Sequence, residues 1–417
     1  MSAPKLKAPR GTFDVLGQQA QERATLETRA RALLQGAGYE RIETPTFEAT
    51  ELFARGVGES TDIVRKEMFT FQDASERSLT LRPEGTAPVC RAYVEHGMHK
   101  RRQPVKLWYF SSFFRHERAQ AGRYRQFWQV GVEAIGSEDP AVDAEVIALL
   151  ATLLSEMGVR EVRLRLSSLG SPETRAEYRE RLQDYLREHE AGLSEDVRSR
   201  IELNPLRAFD ADHEGTREVM RRAPRLLDQL DSADAEHFAE VRALLDEASI
   251  GYQIDSTLVR GLDYYSRTVF EFTSDALGAQ SGVGGGGRYD GLVELLGGAP
   301  TPGIGWGAGV ERILLAGEGQ HAAANPLDLF LALDGPQARR IAFGLLQDAR
   351  SAGLHAQMEL AGRSLKGQLK HADALGARYL AIVEDRQTVL KDMQDGGRQR
   401  IATDTLVHAV LRGLRTL

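Results

Sequence analysis

The chain is nearly without cysteine. Cys90 stands alone, which excludes an internal disulfide and a cysteine-rich zinc site. Histidine offers little more: of ten in the chain, only His96 and His99 fall close together, and no metal site built from protein ligands alone is expected. No run approaches the roughly 18 apolar residues of a membrane-spanning helix. The opening residues, Met1-Ser2-Ala3-Pro4-Lys5-Leu6-Lys7, lack the apolar stretch of a signal peptide. The expected location is cytoplasmic, with no membrane partner. Internal repeats and low-complexity tracts are missing too. A net charge of −7 argues against non-specific nucleic-acid binding by the whole surface.

What is present is the composition of a soluble globular protein, 42% apolar and 27% charged over 417 residues, long enough for two to three domains. The positive charge is local. Lys100, Arg101, Arg102, Lys106, Arg115, Arg118, Arg123 and Arg125 gather in one region with only Glu117 opposing them, whereas acidic residues concentrate elsewhere, as in Asp228 to Glu247. Distant charges are screened and nearby ones are not, so this asymmetry favours a confined anionic partner. At its centre lies Phe113–Phe127, flanked by the apolar runs Val105–Phe110 and Trp128–Ile135. Two strands joined by an Arg-rich loop read as an antiparallel hairpin. The loop is either solvated surface or a site where guanidinium forks meet phosphate oxygens, with Arg115 and Glu117 near a strand end and Phe127 placed to stack on a base.

Along the chain, Gly17–Gly38 has a helical pattern stopped by glycine. The strand-like Tyr39–Glu48 is broken at Pro45; the pair is an ordinary helix-strand unit or a dimer-forming element. Short strands are expected at Glu67–Phe71 and Ser78–Leu81. Glu84 and Thr86, beside Gly85, either bind an ammonium group or cap the helix through Val89–Glu95. Pro140–Met157 is an amphipathic helix, and Val162–Leu166 a strand. Residues 172 to about 250 are nearly all helical and interrupt strand-rich sequence, as an inserted module would. Strands return at Tyr252–Asp255, Thr257–Val259 and Thr268–Phe272. The link Arg260–Arg267 packs Tyr264 and Tyr265 among charges, which suits a flat polar ligand or the closing of a sheet edge.

Gly282, Gly284 and Gly287 formally spell a dinucleotide fingerprint, but Gly297-Gly298 stops the following segment too early. Close approach of backbone to a ligand or a neighbouring strand explains the glycines better. Gly303–Leu315 runs from a glycine-rich strand into a helix carrying Arg312. A linker is expected at His321–Asn325. From Pro326, strands and helices alternate as in a partly parallel α/β sheet. Gly362 and Gly367 have phosphate-loop spacing, but Gln368 stands where the lysine is required.

Together these stretches resemble the class II aminoacyl-tRNA synthetases, and among them the bacterial histidyl-tRNA synthetases, over essentially the whole chain. Motif 1 of the class matches the Gly17–Gly38 helix and the strand ending at Pro45. Motif 2 is Phe113–Phe127 with its Phe-Arg-x-Glu core at Phe114–Glu117, and motif 3 is Gly303–Leu315. Two stretches, Leu258–Tyr265 and Gly284–Gly291, are particular to the histidine enzymes. The resemblance implies an α+β fold, an antiparallel sheet flanked by helices. It implies a catalytic domain, 1–325, with the helical insertion at about 172–250, a C-terminal α/β anticodon-binding domain, 326–417, and a homodimer.

The implied reaction activates L-histidine with ATP, accompanied by Mg²⁺, to histidyl-adenylate, and then charges tRNA(His). By motif match, Arg115 and Arg260 are the catalytic cations on the α-phosphate. Glu117 and Phe127 hold adenine, and Arg123 and Arg312 the outer phosphates. Glu84, Thr86 and Gln129 surround the histidine amino group and Arg115 lies by its carboxylate, with Gly85 and Arg260 also in the histidine site. Glu133 and Tyr264 meet the imidazole nitrogens beside Tyr265, and Arg118 and Gln120 face the tRNA acceptor end. Two rival readings are a catalytically silent paralogue serving as regulatory subunit of ATP phosphoribosyltransferase and a tRNA-binding sensor module. The first would lack the C-terminal domain and drift at the motif residues; the second would need further domains.

Overall fold

The computed structural model describes residues 6–58, 61–117, 122–258, 262–278, 281–317, 327–384 and 387–415. Arg118, Gln120, Arg260 and the linker at 321–325 lie outside the described residues. The chain divides into two compact units, Met1–Gln320 and His321–Leu417.

In the first unit, α1 (Gly17–Gly36) ends near Gly38, whose φ of +84° only glycine adopts readily, and leads into the short strand β1 (Glu40–Arg41). Past the break at Pro45, β2 (Phe47–Ala49), α2 (Thr50–Val57), β3 (Phe69–Gln72) and β4 (Ser78–Leu81) follow, the strands pairing in the order β2-β4-β3. Next come α3 (Thr86–Glu95), the hairpin β5 (Val105–Phe114) and β6 (Gln126–Ile135), α4 (Pro140–Glu156) and β7 (Val162–Ser168). Asp139 caps α4 by accepting from the Ala141 N–H. The helical stretch holds α5 (Pro172–Glu188), α6 (Glu195–Arg198), α7 (Glu214–Arg221) and α8 (Ser232–Glu247). The unit closes with β8 (Gln253–Ile254), β9 (Ser266–Ser274), β10 (Gly282–Arg288), α9 (Leu292–Leu295), β11 (Gly303–Gly309) and α10 (Val310–Ala316).

Eight of these strands form one sheet in the order β1-β5-β6-β11-β10-β9-β7-β8. All neighbours are antiparallel except the edge pairs β1 with β5 and β7 with β8. The strand expected at Thr257–Val259 does not form among the described residues. Asp255 Oδ1 instead accepts from the Thr257 N–H and hydroxyl at 2.9 and 2.6 Å, which turns the chain.

One sheet face carries the main core. Ile304, Trp306 and Ala308 of β11 are buried there with Leu26, Ala30 and Leu34 of α1, Leu150 and Leu153 of α4, and Phe238, Val241 and Leu245 of α8. The Trp306 indole donates to the Val146 carbonyl at 2.7 Å. The helical stretch therefore has two kinds of neighbour: α8 belongs to this core, while α5 to α7 gather around Tyr178, Leu182, Leu186 and Met220 with Tyr265. Arg288, fully buried at the end of β10, donates from Nε to Asp143 Oδ2 at 3.0 Å and closes an ion pair at 2.6 Å. His237 of α8 meets the same carboxylate at 2.9 Å. One buried carboxylate thus ties α4, α8 and β10 together.

The second unit comprises β12 (Leu329–Leu333), α11 (Ala338–Ser351), β13 (Ala356–Met358), α12 (Leu365–Ala374), β14 (Tyr379–Val383), β15 (Gln387–Asp392), β16 (Arg398–Ala402) and α13 (Leu406–Arg415). The order is β13-β12-β14-β15-β16, parallel over the first three strands and antiparallel beyond. Sequence reading missed β16, an exposed edge strand with little apolar alternation. Gln368 ties α12 to β12. Its Oε1 accepts from the Leu333 N–H at 2.6 Å while Nε2 donates to the Leu333 carbonyl at 3.1 Å.

Asp143→Ala leaves Arg288 buried without its main counter-charge, and the expected loss is about 3–5 kcal/mol. All three tryptophans, Trp108, Trp128 and Trp306, lie in the first unit, so urea titration of tryptophan fluorescence reads it; a loss below about 1 kcal/mol would contradict the role given to this pair.

Candidate active site

The site is built on the sheet face opposite the main core. Along β6, side chains two residues apart share a face, which aligns Phe127, Gln129, Gly131 and Glu133. Across the ladder, Gln129, Gly131 and Glu133 pair with Gly309, Gly307 and Gly305 of β11, and Gly307 and Gly305 pair with Gly285 and Gly287 of β10. The site face of both strands is therefore bare backbone. A Cβ at Gly305 would collide with the Glu133 carboxylate. Gly284 and Gly286 face the core: a Cβ at Gly284 would stand 2.6 Å from Ala308 Cβ, and one at Gly286 would strike the Gly305 carbonyl.

Over the outer part of this floor opens a cavity of about 370 Å³ walled by Arg115, Glu117, Arg123, Phe127, Gln129, Glu271 and Arg312. The Arg115 Nε donates to the Pro83 carbonyl at 2.9 Å, and its guanidinium carbon lies 5.4 Å from the Phe127 ring centre. Glu117 stands 3.2 Å from Arg123 and 3.8 Å from Arg115. Burial, and then the charge of Arg123, hold the Arg312 guanidinium below its usual range. Three guanidinium groups against two carboxylates, beside an aromatic ring, suit a polyanion carrying a planar group.

The inner end of the β6 row is Glu133, fully buried, which accepts from the Thr86 hydroxyl at 2.8 Å and the Tyr289 hydroxyl at 2.6 Å. Glu84 accepts the Thr86 and Ala87 N–H groups at 2.8 and 2.9 Å and the Tyr264 hydroxyl at 3.3 Å. Glu84 thus caps α3, while the Thr86 side chain serves Glu133. Burial pushes the Glu133 carboxyl up to about 8, against its two donors and with help from the Glu84 charge. Burial also raises Glu84, against its two backbone donors. The Tyr109 ring fills the space that side chains at Gly85 and Gly131 would need, which fixes Gly85 beneath the network. Tyr265 packs edge-on against Tyr264 with centroids 4.8 Å apart, and its carbonyl accepts from Arg175 at 2.7 Å.

The structure thus brings Arg115, Glu117, Arg123, Phe127, Gln129 and Arg312 to one cavity, and Glu84, Thr86, Glu133 and Tyr264 to one hydrogen-bond network. Arg260, Arg118 and Gln120 lie outside the described residues. Sequence reading missed Tyr289, Tyr109 and Glu271. Tyr289 could have been found as the phenol directly after the glycine run and Arg288. Glu271 stands out as a carboxylate in the apolar strand Val269–Phe272. Tyr109 gave no signal, because its meaning comes from the cross-strand pairing with Gly131.

A family model described as histidyl-tRNA synthetase matches residues 11–313. A histidine–tRNA ligase of Desulforamulus reducens is 47% identical over 407 residues, covering 96% of this chain and 97% of that one. One of Rubrobacter xylanophilus is 48% identical over 413 residues, covering 95% and 96%. The crystal structure of apo Staphylococcus aureus histidyl-tRNA synthetase superimposes with a TM-score of 0.82 at 37% identity, covering 97% of this chain and all of that one. With the family model spanning more than half of the residues and relatives near one-half identity over almost the full length, the chain belongs to the histidyl-tRNA synthetase family.

Proposed function

We propose that the protein activates L-histidine with ATP to histidyl-adenylate and transfers the histidyl group to the 3′ end of tRNA(His). The observation that carries this reading is the row on β6, which runs on one face from Phe127 in the cationic cavity to Glu133 in the buried network. A nucleotide and an amino acid bound end to end would use the whole row. The nearly full-length ligase relatives weigh against a silent regulatory paralogue.

In the first step the histidine carboxylate attacks the α-phosphorus and pyrophosphate leaves; in the second, a terminal adenosine hydroxyl of tRNA attacks the acyl carbon and AMP leaves. Negative charge builds on the α-phosphoryl oxygens during attack, and each preorganised cation there is worth about 3 kcal/mol. Arg115 and, on the strength of its sequence motif, Arg260 take this part. Arg123 and Arg312 hold the outer phosphates, Glu117 accepts from the adenine amino group, and Phe127 stacks on the ring. ATP is expected as its Mg²⁺ complex. No group of three or more His, Cys, Asp or Glu among the described residues could hold a metal by itself. An ion bound with ATP would rest mainly on phosphate oxygens; Glu271, on the cavity wall and ion-paired with Arg165 at 3.1 Å, would help to hold it, and the ion would supply charge to the outer phosphates.

For histidine, Glu84 and Thr86 keep lone pairs for the ammonium group, with Gln129 beside them. Glu133 and Tyr264 meet the two ring nitrogens next to Tyr265, and an analogue lacking either nitrogen would leave a buried partner unpaired. The second unit is assigned to the anticodon, and Arg118 and Gln120 to the acceptor end of tRNA, both on resemblance. A homodimer, built partly on motif 1 by resemblance, is consistent with the half-exposed Phe47 and Phe71 on the three-stranded sheet that follows it, whose rings pack edge-on at 6.0 Å.

Pyrophosphate exchange into ATP tests the reading. Exchange should require histidine and no other amino acid, and Arg115→Ala should slow it by about 10²-fold or more; exchange indifferent to histidine would refute the assignment. The Glu133 carboxyl supplies a second test, in the ligand-free protein. Its native pKa lies above the unfolded value, so the folded state keeps a proton that the unfolded chain loses, and stability falls as pH rises from about 4.5 to 8. The fall is roughly 5 kcal/mol across that window, and Glu133→Gln should flatten it while weakening histidine binding. An unchanged stability profile in the variant would show that the carboxyl is not held protonated.

A further inference from the structure

We infer that the N-terminal segment Pro9–Phe13 is a positioning element for the outer-phosphate side of the cavity, acting through Tyr124 and Arg125 on Arg123. The inference rests on the assignment of that cavity to ATP.

Arg123 needs such help. It shares the cavity with two other guanidinium groups, and its charge disfavours that of Arg312. Its ion pair with Glu117, at 3.2 Å, has an arginine side chain that is 42% exposed, and a pair so open to water holds little by itself. Its backbone position must be fixed from elsewhere. Two residues on, Arg125 is clasped from both sides: its carbonyl accepts from the Arg115 N–H at 3.0 Å, and its N–H donates to the Gly11 carbonyl at 2.8 Å. The segment thus adds a partner where the β5–β6 ladder ends.

Gly11 is suited to that approach in two ways. Its φ of +85° lies in the left-handed region, and a Cβ there would stand 2.7 Å from Arg125 Cγ. The Thr12 hydroxyl and N–H both donate to the Pro9 carbonyl, at 2.8 and 3.1 Å, and fold the segment into a turn. That turn delivers Phe13 to Tyr124, ring centres 4.6 Å apart, within reach for a favourable aromatic pair. A second cavity, of about 240 Å³, lies behind, with Phe13, Arg23 and Leu315 in its wall. Gly122 and Tyr124 line both cavities, so they form the partition between the N-terminal segment and the phosphate side.

The experiment is histidine-dependent pyrophosphate exchange with Phe13→Ala, Gly11→Ala and Phe13→Tyr in the full chain, with thermal unfolding of each variant. The expected result for the first two is a KM for ATP raised about tenfold with the KM for histidine within about twofold of the parent, and recovery in Phe13→Tyr. An unchanged KM for ATP, or both constants rising together, would overturn the inference. Should Phe13→Ala fail to fold, Phe13→Leu, which keeps apolar cover without the ring, is measured in its place. Absence of exchange in the parent protein would instead refute the ATP assignment.

Discussion

The structure depends on how closely β10 and β11 approach each other and what lies above them. On the site face, Gly285 and Gly307 present backbone to the cavity, while Gly287 and Gly305 make room for the Tyr265 ring and the Glu133 carboxylate; on the core face, Gly284 and Gly286 admit Ala308 and the Gly305 carbonyl. Glycine in a strand interior costs roughly 0.5–1 kcal/mol relative to alanine, so a run of this kind needs support from its surroundings. That support is on the core side. Trp306 is buried and hydrogen-bonded to the Val146 carbonyl, and Arg288 fixes the end of β10 on Asp143. Both contacts come from α4, and a site floor without side chains is useful only when it is held in place in this way.

Much of this was legible in the sequence, and the parts that were not share a cause. The helices α1 and α4, the β5–β6 hairpin and the alternation in the second unit follow from local periodicity and glycine stops. Family motifs marked the residues that line the cavity. Local pattern could not show that Glu84 caps α3 while Thr86 turns to Glu133, because both roles suit a carboxylate and a hydroxyl before a helix. The role of Gly131 was hidden for the same reason: it makes room for Tyr109, its partner across the ladder rather than along the chain. The excess of glycine at Gly282–Gly287 is understood only when both faces of β10 are known. The turn at Asp255 replaced a strand because a side-chain acceptor competed for the backbone N–H.

Charge is arranged differently at the two ends of the β6 row. At the outer end, guanidinium groups exceed carboxylates and are partly open to water, so the cavity can be hydrated and its self-repulsion screened. At the inner end, Glu84 and Glu133 are buried close together, and two negative charges there would be costly. The carboxyl of Glu133 meets that cost by keeping its proton up to about pH 8, with Thr86 and Tyr289 already oriented toward its oxygens. Under the proposed assignment, histidine brings an ammonium group and a ring N–H to the same pair, replacing the proton as the source of positive charge. A ligand with the ammonium group but no second ring nitrogen would leave a buried donor or acceptor unmet, at about 1–3 kcal/mol for each. Selection at this end therefore comes from desolvation already incurred by the protein, and it acts before any phosphate chemistry begins.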